Sequence, residues 1–307
     1  MTTAEERFAG CLLGLACGDA VGTTVEFKPR GSFPPVTDMV GGGPFGLPVG
    51  AWTDDTSMAL CLGYSLVETG GFDAADQMKR YCDWHDHGYM SSTGRCFDIG
   101  NATAAALWRY QRSSDPYSGS TDPHSAGNGS IMRLAPVVMA YTPDEAQVLH
   151  YAGESSKTTH SAAECVDACC LFGGMLHAAL QGGSKADILA YQGYTPITPN
   201  IQAIAQGAYR GKSLAQIKGS GYVVDSLAAA LWCFATTDSY ETAVLQAVNL
   251  GDDADTTAAV CGQIAGAFYG RAAIPASWRS RLIMGAEIEQ LALRLQSRHR
   301  DLNNSHV

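Results

Sequence analysis

Apolar residues in this chain recur at intervals of three and four, and no convincing run alternates apolar with polar as a half-buried strand would. Thr3 and Glu6 have the spacing of a capping box, and Phe8, Cys11, Leu12, Leu15 and Ala16 follow on one helical face, which predicts a first helix to about Asp19. Met58, Cys61, Leu62 and Leu66 repeat the pattern behind Thr53 and stop at Gly70-Gly71. Further helices are predicted near 74–86, 98–112, 143–153, 160–180, 201–210, 223–236, 239–249, 255–270 and 277–297. Residues 29–50 carry Pro29, Pro34, Pro35, Gly41-Gly42-Gly43, Pro44, Pro48 and Gly50 and read as a loop of a length usually functional or mobile. The expected fold class is therefore all-α. Residues 1–298 are expected to form one compact domain, with a frayed tail over 299–307. Gly10, Gly14 and Gly18 sit four apart, as helix-packing glycines do, and no G-x-G-x-x-G follows a strand, so a Rossmann reading fails.

Composition narrows the function. With 46% hydrophobic residues in 307, the chain can bury a large core; 34 glycines and only 16% charged residues suit closely packed helices. The net charge of −10 argues against nucleic acid as a partner, although a small anion received by metal ions and backbone N–H groups is still allowed. The ten cysteines contain no C-x-x-C pair and read as reduced core thiols. Glu5, Glu6 and the glycines after them do not make a signal peptide, and no window looks long and apolar enough to span a membrane. A cytoplasmic monomer with no membrane partner is expected.

The chemistry sits in two acidic clusters about two hundred residues apart, Thr53-Asp54-Asp55-Thr56 and Asp252-Asp253-Ala254-Asp255-Thr256. Each alone is well explained as a helix start: Thr53 or Asp253 caps an orphan N–H and the acids complement the macrodipole. Together they offer hard oxygen ligands without nearby Cys or His, a set that suits Mg or Mn and not zinc. Asp54, Asp55, Asp253 and Asp255 could balance two divalent ions, with Thr53 and Thr256 adding neutral oxygens, provided their helices converge.

Other segments are more ambiguous singly. Glu26, between Val25 and Phe27, has an apolar setting that raises a carboxyl pKa and favours acid–base work, but it could equally be a loop glutamate. Asp98 could serve as an N-cap. Gly127-Asn128-Gly129-Ser130-Ile131-Met132-Arg133 could aim N–H groups at a phosphate ahead of a helical segment, or be a plain turn. His160 reads as a cap-region histidine and Tyr222 and Trp232 as core aromatics; His85-Asp86-His87 could bind a metal but reads as a solvent-facing helix end.

In order, GDAVGTTVEF (18–27), TDDTSM (53–58), FDIGNAT (97–103), GNGSIMR (127–133), TTHSAAE (158–164), YVVDSL (222–227) and GDDADTTAAVCGQIAGAFYG (251–270) resemble the ADP-ribosylglycohydrolase family, in particular its nitrogenase-regulating branch. The resemblance spans nearly the whole chain. It implies that family's all-α multi-helix orthogonal bundle and a centre of two divalent cations, Mg or Mn. Their ligands would be Thr53, Asp54, Asp55, Asp253, Asp255 and Thr256, with Asp252 at a variable position outside the set. Glu26 and Asp98 become candidates for acid–base work, and Gly127, Asn128, Gly129, Ser130 and Met132, with His160 and Tyr222, would line the ribose and phosphates; Arg133 could hold the diphosphate with backbone donors or be a helix-face charge. No motif position is lost, which argues against a catalytically dead relative. The activity implied is removal of mono-ADP-ribose from a protein side chain, releasing ADP-ribose through attack of a cation-activated water on a carbon with oxocarbenium character. Arginine is the expected linkage, with serine-linked or polymeric ADP-ribose as alternatives. A non-catalytic ADP-ribose reader, or a nucleoside hydrolase with an α/β fold, are readings of other classes.

Overall fold

Thr3 accepts a hydrogen bond from the Glu6 N–H at 3.1 Å and opens helix α1 (Ala4–Gly22), as the capping-box spacing predicts. In this computed structural model, which describes residues 2–304, thirteen more α-helices follow and no strand forms among the described residues. The first half contains α2 (Asp54–Glu68), α3 (Ala74–His87), α4 (Asn101–Ser113), α5 (Ala135–Tyr141) and α6 (Glu145–Lys157). The second contains α7 (Ala163–Leu180), α8 (Lys185–Leu189), α9 (Pro199–Ala205), α10 (Val223–Ala235), α11 (Tyr240–Val248), α12 (Ala254–Tyr269), α13 (Ala276–Arg281) and α14 (Gly285–Asn304). One contiguous cluster of buried side chains runs from Phe8 to Leu295.

The glycine spacing in α1 acts as predicted. α12 lies antiparallel along it, and a Cβ at Gly10, Gly14 or Gly18 would sit 2.3 Å from the carbonyl oxygen of Gly266, Gly262 or Ala258 respectively. At Gly22 it would meet Asp255 Cα at 2.4 Å. The contact is reciprocal, because a Cβ at Gly262 or Gly266 would press to 2.1 or 2.0 Å from the Gly14 or Gly10 oxygen. Backbone therefore touches backbone along the whole seam, and the seam ends at the acidic cluster of α12.

One expectation about apolar segments is corrected. Ala4–Val25 and Ala163–Leu180 are long and apolar enough to pass for membrane spans, with mean hydropathy 1.5 and 1.3. In this fold 94% and 78% of those windows are buried against other helices, so they serve as core helices. The loop over 29–50 is tied down at many points. Arg30 donates to the Leu250, Leu214 and Ile217 carbonyls, Asn249 pairs with both backbone groups of Val36, and Asp38 accepts from Trp278 Nε1 at 2.7 Å and Arg281 at 3.0 Å.

Helices α5 and α8 escape the periodicity because seven and five residues are too few to display it. The segment predicted as one helix over 277–297 is broken between α13 and α14. There the Ile283 N–H donates to Gly50 O and its carbonyl accepts from Trp52 Nε1, so the break fixes the chain that enters α2. The backbone of α14 continues to Asn304, into the segment expected to fray; residues 305–307 and the side chains from position 299 lie outside the described residues.

Candidate metal centre and substrate cleft

The C-terminal end of α1 and the N-terminal ends of α2 and α12 meet at one point, so the two acidic clusters converge. Neither helix start is capped by its own threonine or aspartate. Asp19, on the last turn of α1, accepts from the Thr53 and Thr56 N–H groups at 2.9 and 3.0 Å and from both hydroxyls at 2.9 and 2.6 Å. Glu26, just beyond a 3-10 turn that extends α1, accepts from the Ala254 and Asp255 N–H groups at 2.8 and 3.2 Å. The readings of Thr53 and Asp253 as side-chain caps are thereby corrected. With the orphan N–H groups satisfied from outside, the acids on α2 and α12 keep their oxygens for something else.

Asp19, Asp55 and Asp255 offer carboxylate oxygens within 4.8 Å of one another, and so do Glu26, Asp253 and Asp255. Thr53 Oγ1 lies 3.1 Å from Asp55 Oδ2 and 3.3 Å from Asp255 Oδ2, and Thr256 Oγ1 lies 3.4 Å from Asp55 Oδ2. Asn128 steadies Asp253 by donating to its Oδ2 at 2.9 Å. No member of the cluster pairs with Lys or Arg among the described residues, and Asp55 Oδ1 is fully buried without a partner. A buried, unpaired carboxylate oxygen among like charges is what a bound cation would satisfy. The donor set fits hard divalent ions. Asp252 is exposed, and its backbone pairs with Phe27 and Lys28, consistent with a place outside the set.

Burial and mutual repulsion push these carboxyls up. Burial moves Asp19 to about 6; burial, with repulsion from Asp253 and Asp19, moves Asp255 to about 7. Burial and then Asp255 move Asp98 to about 10, while Asp54, Asp55, Asp253 and Glu26 are all raised, burial being the leading cause. A carboxyl raised in the folded state holds its proton there more tightly than in the unfolded chain, where Asp has its ordinary 3.8. Its stabilising contribution is whole below 3.8 and is lost as pH climbs through about 6 and 7 for Asp19 and Asp255. The melting temperature of metal-free protein should therefore fall between pH 4 and pH 8. Added Mn should raise it more at pH 8 than at pH 5, because deprotonated carboxylates are the ligands. Equal gains at both pH values, read by scanning fluorimetry with and without chelator, would count against cation binding here.

Above the cluster lies a cavity of about 460 Å³. Glu26, Asp54, Asp98, Asp253, Asp255 and Thr256 line its acidic side, facing Gly127, Asn128, Gly129, Met132 and His160. Thr53 and Asp55 lie beneath this floor, fully buried. A second cavity, about 620 Å³, shares Gly127 and Gly221 with the first and is lined by His124, Glu164 and Tyr222. Tyr222 is 36% exposed there, its hydroxyl donating to Glu164 at 2.5 Å, so it is no core aromatic. Asp98 adopts φ +58° at the cleft wall and caps nothing, since Gly100 holds the cap position of α4. Ser130 sits behind the lining, accepting from the Cys169 thiol. His160 precedes α7 instead of opening it. Trp232 is core, and His85 and His87 are exposed beside Asp86, as expected.

Two residues were misjudged or missed. Arg133 is 1% exposed and directed into the core, so it is not a diphosphate ligand. Asp19 went without a role, although its sequence carries a signal: an acid in the last turn of an apolar helix opposes the macrodipole. Such a residue has a duty elsewhere.

A family profile described as ADP-ribosylglycohydrolase matches residues 1–304. The chain belongs to that family. An ADP-ribosylarginine hydrolase of Pseudomonas putida (strain GB-1) is 46% identical over 295 residues, covering 96% of this chain and 79% of that one. An ADP-ribosyl-[dinitrogen reductase] glycohydrolase of Rhodospirillum rubrum is 34% identical, covering 93% of each chain. Among solved structures, an ADP-ribosylglycohydrolase-related protein complex superposes with a TM-score of 0.85 at 43% identity, covering 96% of this chain and 98% of that one. The nitrogenase-regulating relative is thus less similar than the Pseudomonas arginine hydrolase. The absence of strands among the described residues and this family membership remove the nucleoside-hydrolase alternative.

Proposed function

We propose that this ADP-ribosylglycohydrolase removes mono-ADP-ribose from arginine side chains of a protein, using two divalent cations held by Thr53, Asp54, Asp55, Asp253, Asp255 and Thr256. The observation that carries this reading is the unpaired carboxylate cluster, with its orphaned Asp55 oxygen, at the floor of a cleft that shares Gly127 and Gly221 with a second cavity. Two adjoining chambers suit a long ligand whose sugar meets the acids and whose remainder passes Gly127 and Gly221 toward Tyr222. The names of the 46% and 42% identical relatives, both ADP-ribosylarginine hydrolases, support the linkage. Ten unpaired cysteines accord with a reducing cytoplasm, and the reading takes the chain to act as a monomer. A single catalytic domain over residues 1–298 completes the reading.

Bound Mg or Mn ions would neutralise the carboxylates, orient the ribose hydroxyls and make a water more acidic. Glu26 is fixed by the α12 N-terminus and stands within reach of Asp253 and Asp255, so we assign it the proton transfer. Asp98, on the cleft wall, is placed to face the positive charge that develops at the anomeric carbon. Among the described residues the Gly129 and Ser130 N–H groups have no protein acceptor, whereas those of Gly127 and Asn128 are engaged by Ser125 and Gly221. Gly129 therefore supplies the backbone donor at the cleft wall.

Incubation with defined arginine-linked and serine-linked ADP-ribosyl peptides, with Mn or with chelator, tests the proposal. Metal-dependent release from arginine at least about tenfold faster than from serine is expected, since a site built around one linkage discriminates by 1–3 kcal/mol or more. Release from serine alone overturns the linkage. Tight ADP-ribose binding with no release of either kind would make the protein a reader.

A further inference from the structure

Arg133 carries a full charge into the core at 1% exposure, stacked 4.8 Å over the Tyr81 ring, with no carboxylate partner among the described residues. Burying an uncompensated guanidinium is unfavourable, so its contacts merit a count of hydrogens. Nη1 donates to Gly129 O at 3.1 Å; Nη2 donates to Thr159 Oγ1 at 2.7 Å and Thr158 Oγ1 at 3.2 Å. Each threonine hydroxyl, having accepted from Arg133, must place its own hydrogen elsewhere. Thr158 gives its hydrogen to Ser155 O at 2.8 Å. Among the described residues Thr159 has one acceptor in reach, His160 Nδ1, also at 2.8 Å.

We propose that Arg133, acting through the Thr159 hydroxyl, is a positioning residue that holds His160 neutral with its ring hydrogen on Nε2, as a donor aimed into the cleft. The opposite tautomer would leave Thr159 receiving two donors while its buried hydrogen found no acceptor. Nε2 has no protein partner among the described residues and lies at the cleft wall: a Cβ on Gly129 would stand 3.0 Å from it, and one on Gly127 would stand 3.5 Å away. The two glycines of the G-x-G therefore make room for an imidazole edge as well as supplying backbone. Burial, and then the charge of Arg133, push His160 down to about 3, so the ring does not take a second proton at neutral pH. The His160 backbone is held too, its N–H and carbonyl both paired with Ser156 at 2.7 Å.

A neutral N–H donor fixed in direction is suited to an anionic oxygen such as one of a diphosphate. That ligand rests on the proposed function, whereas the tautomer does not. The test is 1H–15N NMR of the imidazole nitrogens in the full chain. Wild type should show His160 with protonated Nε2 and bare Nδ1, unchanged from pH 5 to pH 8. Thr159→Val should mix the tautomers and weaken ADP-ribose binding about tenfold, the loss of one hydrogen bond to a charged group, while leaving Mn affinity intact. Thr159→Ser should restore both. A wild-type ring protonated on Nδ1, or a Thr159→Val spectrum identical to wild type, overturns the proposal. The wild-type spectrum decides the tautomer even if a variant fails to fold. The expected spectra without any ADP-ribose binding would support the positioning role and sink the ADP-ribose reading instead.

Discussion

Replacing Asp255 with asparagine should lower turnover by about 10²–10⁴, because several kcal/mol of charge stabilisation at the reacting centre depend on the bound cations. Asp255 is singled out because it alone belongs to both carboxylate groups, the one with Asp19 and Asp55 and the one with Glu26 and Asp253. Removing its charge therefore weakens both halves of the centre at once. The substitution is nearly isosteric, and the asparagine oxygen can still accept the Thr256 N–H that Asp255 Oδ1 now receives at 2.7 Å. The helix start should survive. In metal-free protein at pH 8 the melting temperature should even rise, since one of several facing negative charges is gone. Calorimetry should show Mn binding weakened or lost alongside activity. Near-normal turnover in this variant would dispose of the proposed centre, and a fall in metal-free stability would show that Asp255 is there for structure.

Gly262→Ala should be among the most damaging single methyl additions in the molecule. Its Cβ would stand 2.1 Å from Gly14 O and 2.7 Å from Gly14 C, and these are backbone atoms that cannot rotate aside. Overpacking that only displaces side chains costs about 1–3 kcal/mol, so parting two helices should cost about 3 kcal/mol or more. At about 2 cal/mol/K of unfolding entropy per residue, that corresponds in 307 residues to a drop in melting temperature of roughly 5 °C or more. Gly211→Ala is the control, because nothing lies within 4 Å of its Cβ position and its φ is not left-handed. The seam variant should also bind Mn more weakly, since a displaced α12 carries Asp253 and Asp255 with it. A change under about 2 °C would contradict backbone contact along the seam.

The seam was legible from Gly10, Gly14 and Gly18 because four-residue spacing keeps a bare strip on one helical face. The convergence of the acidic clusters was legible as well, since two such groups of carboxylates exceed what two helix starts need. What escaped was every relation in which a residue serves a distant one. Thr53 and Asp253 looked like caps because local sequence cannot show that Asp19 and Glu26 arrive from another helix to do the capping. Arg133 looked like a phosphate ligand for the same reason. Only the packing of Tyr81, Thr158 and Thr159 around it shows that it faces inward. The split between α13 and α14 depends on Gly50 and Trp52, more than two hundred residues earlier.

Asp19 and Glu26 sit seven positions apart on one rigid stretch, yet they organise the starts of two helices that the chain delivers far apart in sequence. During synthesis, Asp19, Glu26, Asp54 and Asp55 emerge early and wait without the rest of the cage. Metal uptake at the proposed centre would then await Asp253 and Asp255, when most of the polypeptide already exists. If the proposed centre holds cations, a chain truncated before α12 would carry acids but no complete site, so cation binding would report that α12 has docked against α1 and α2.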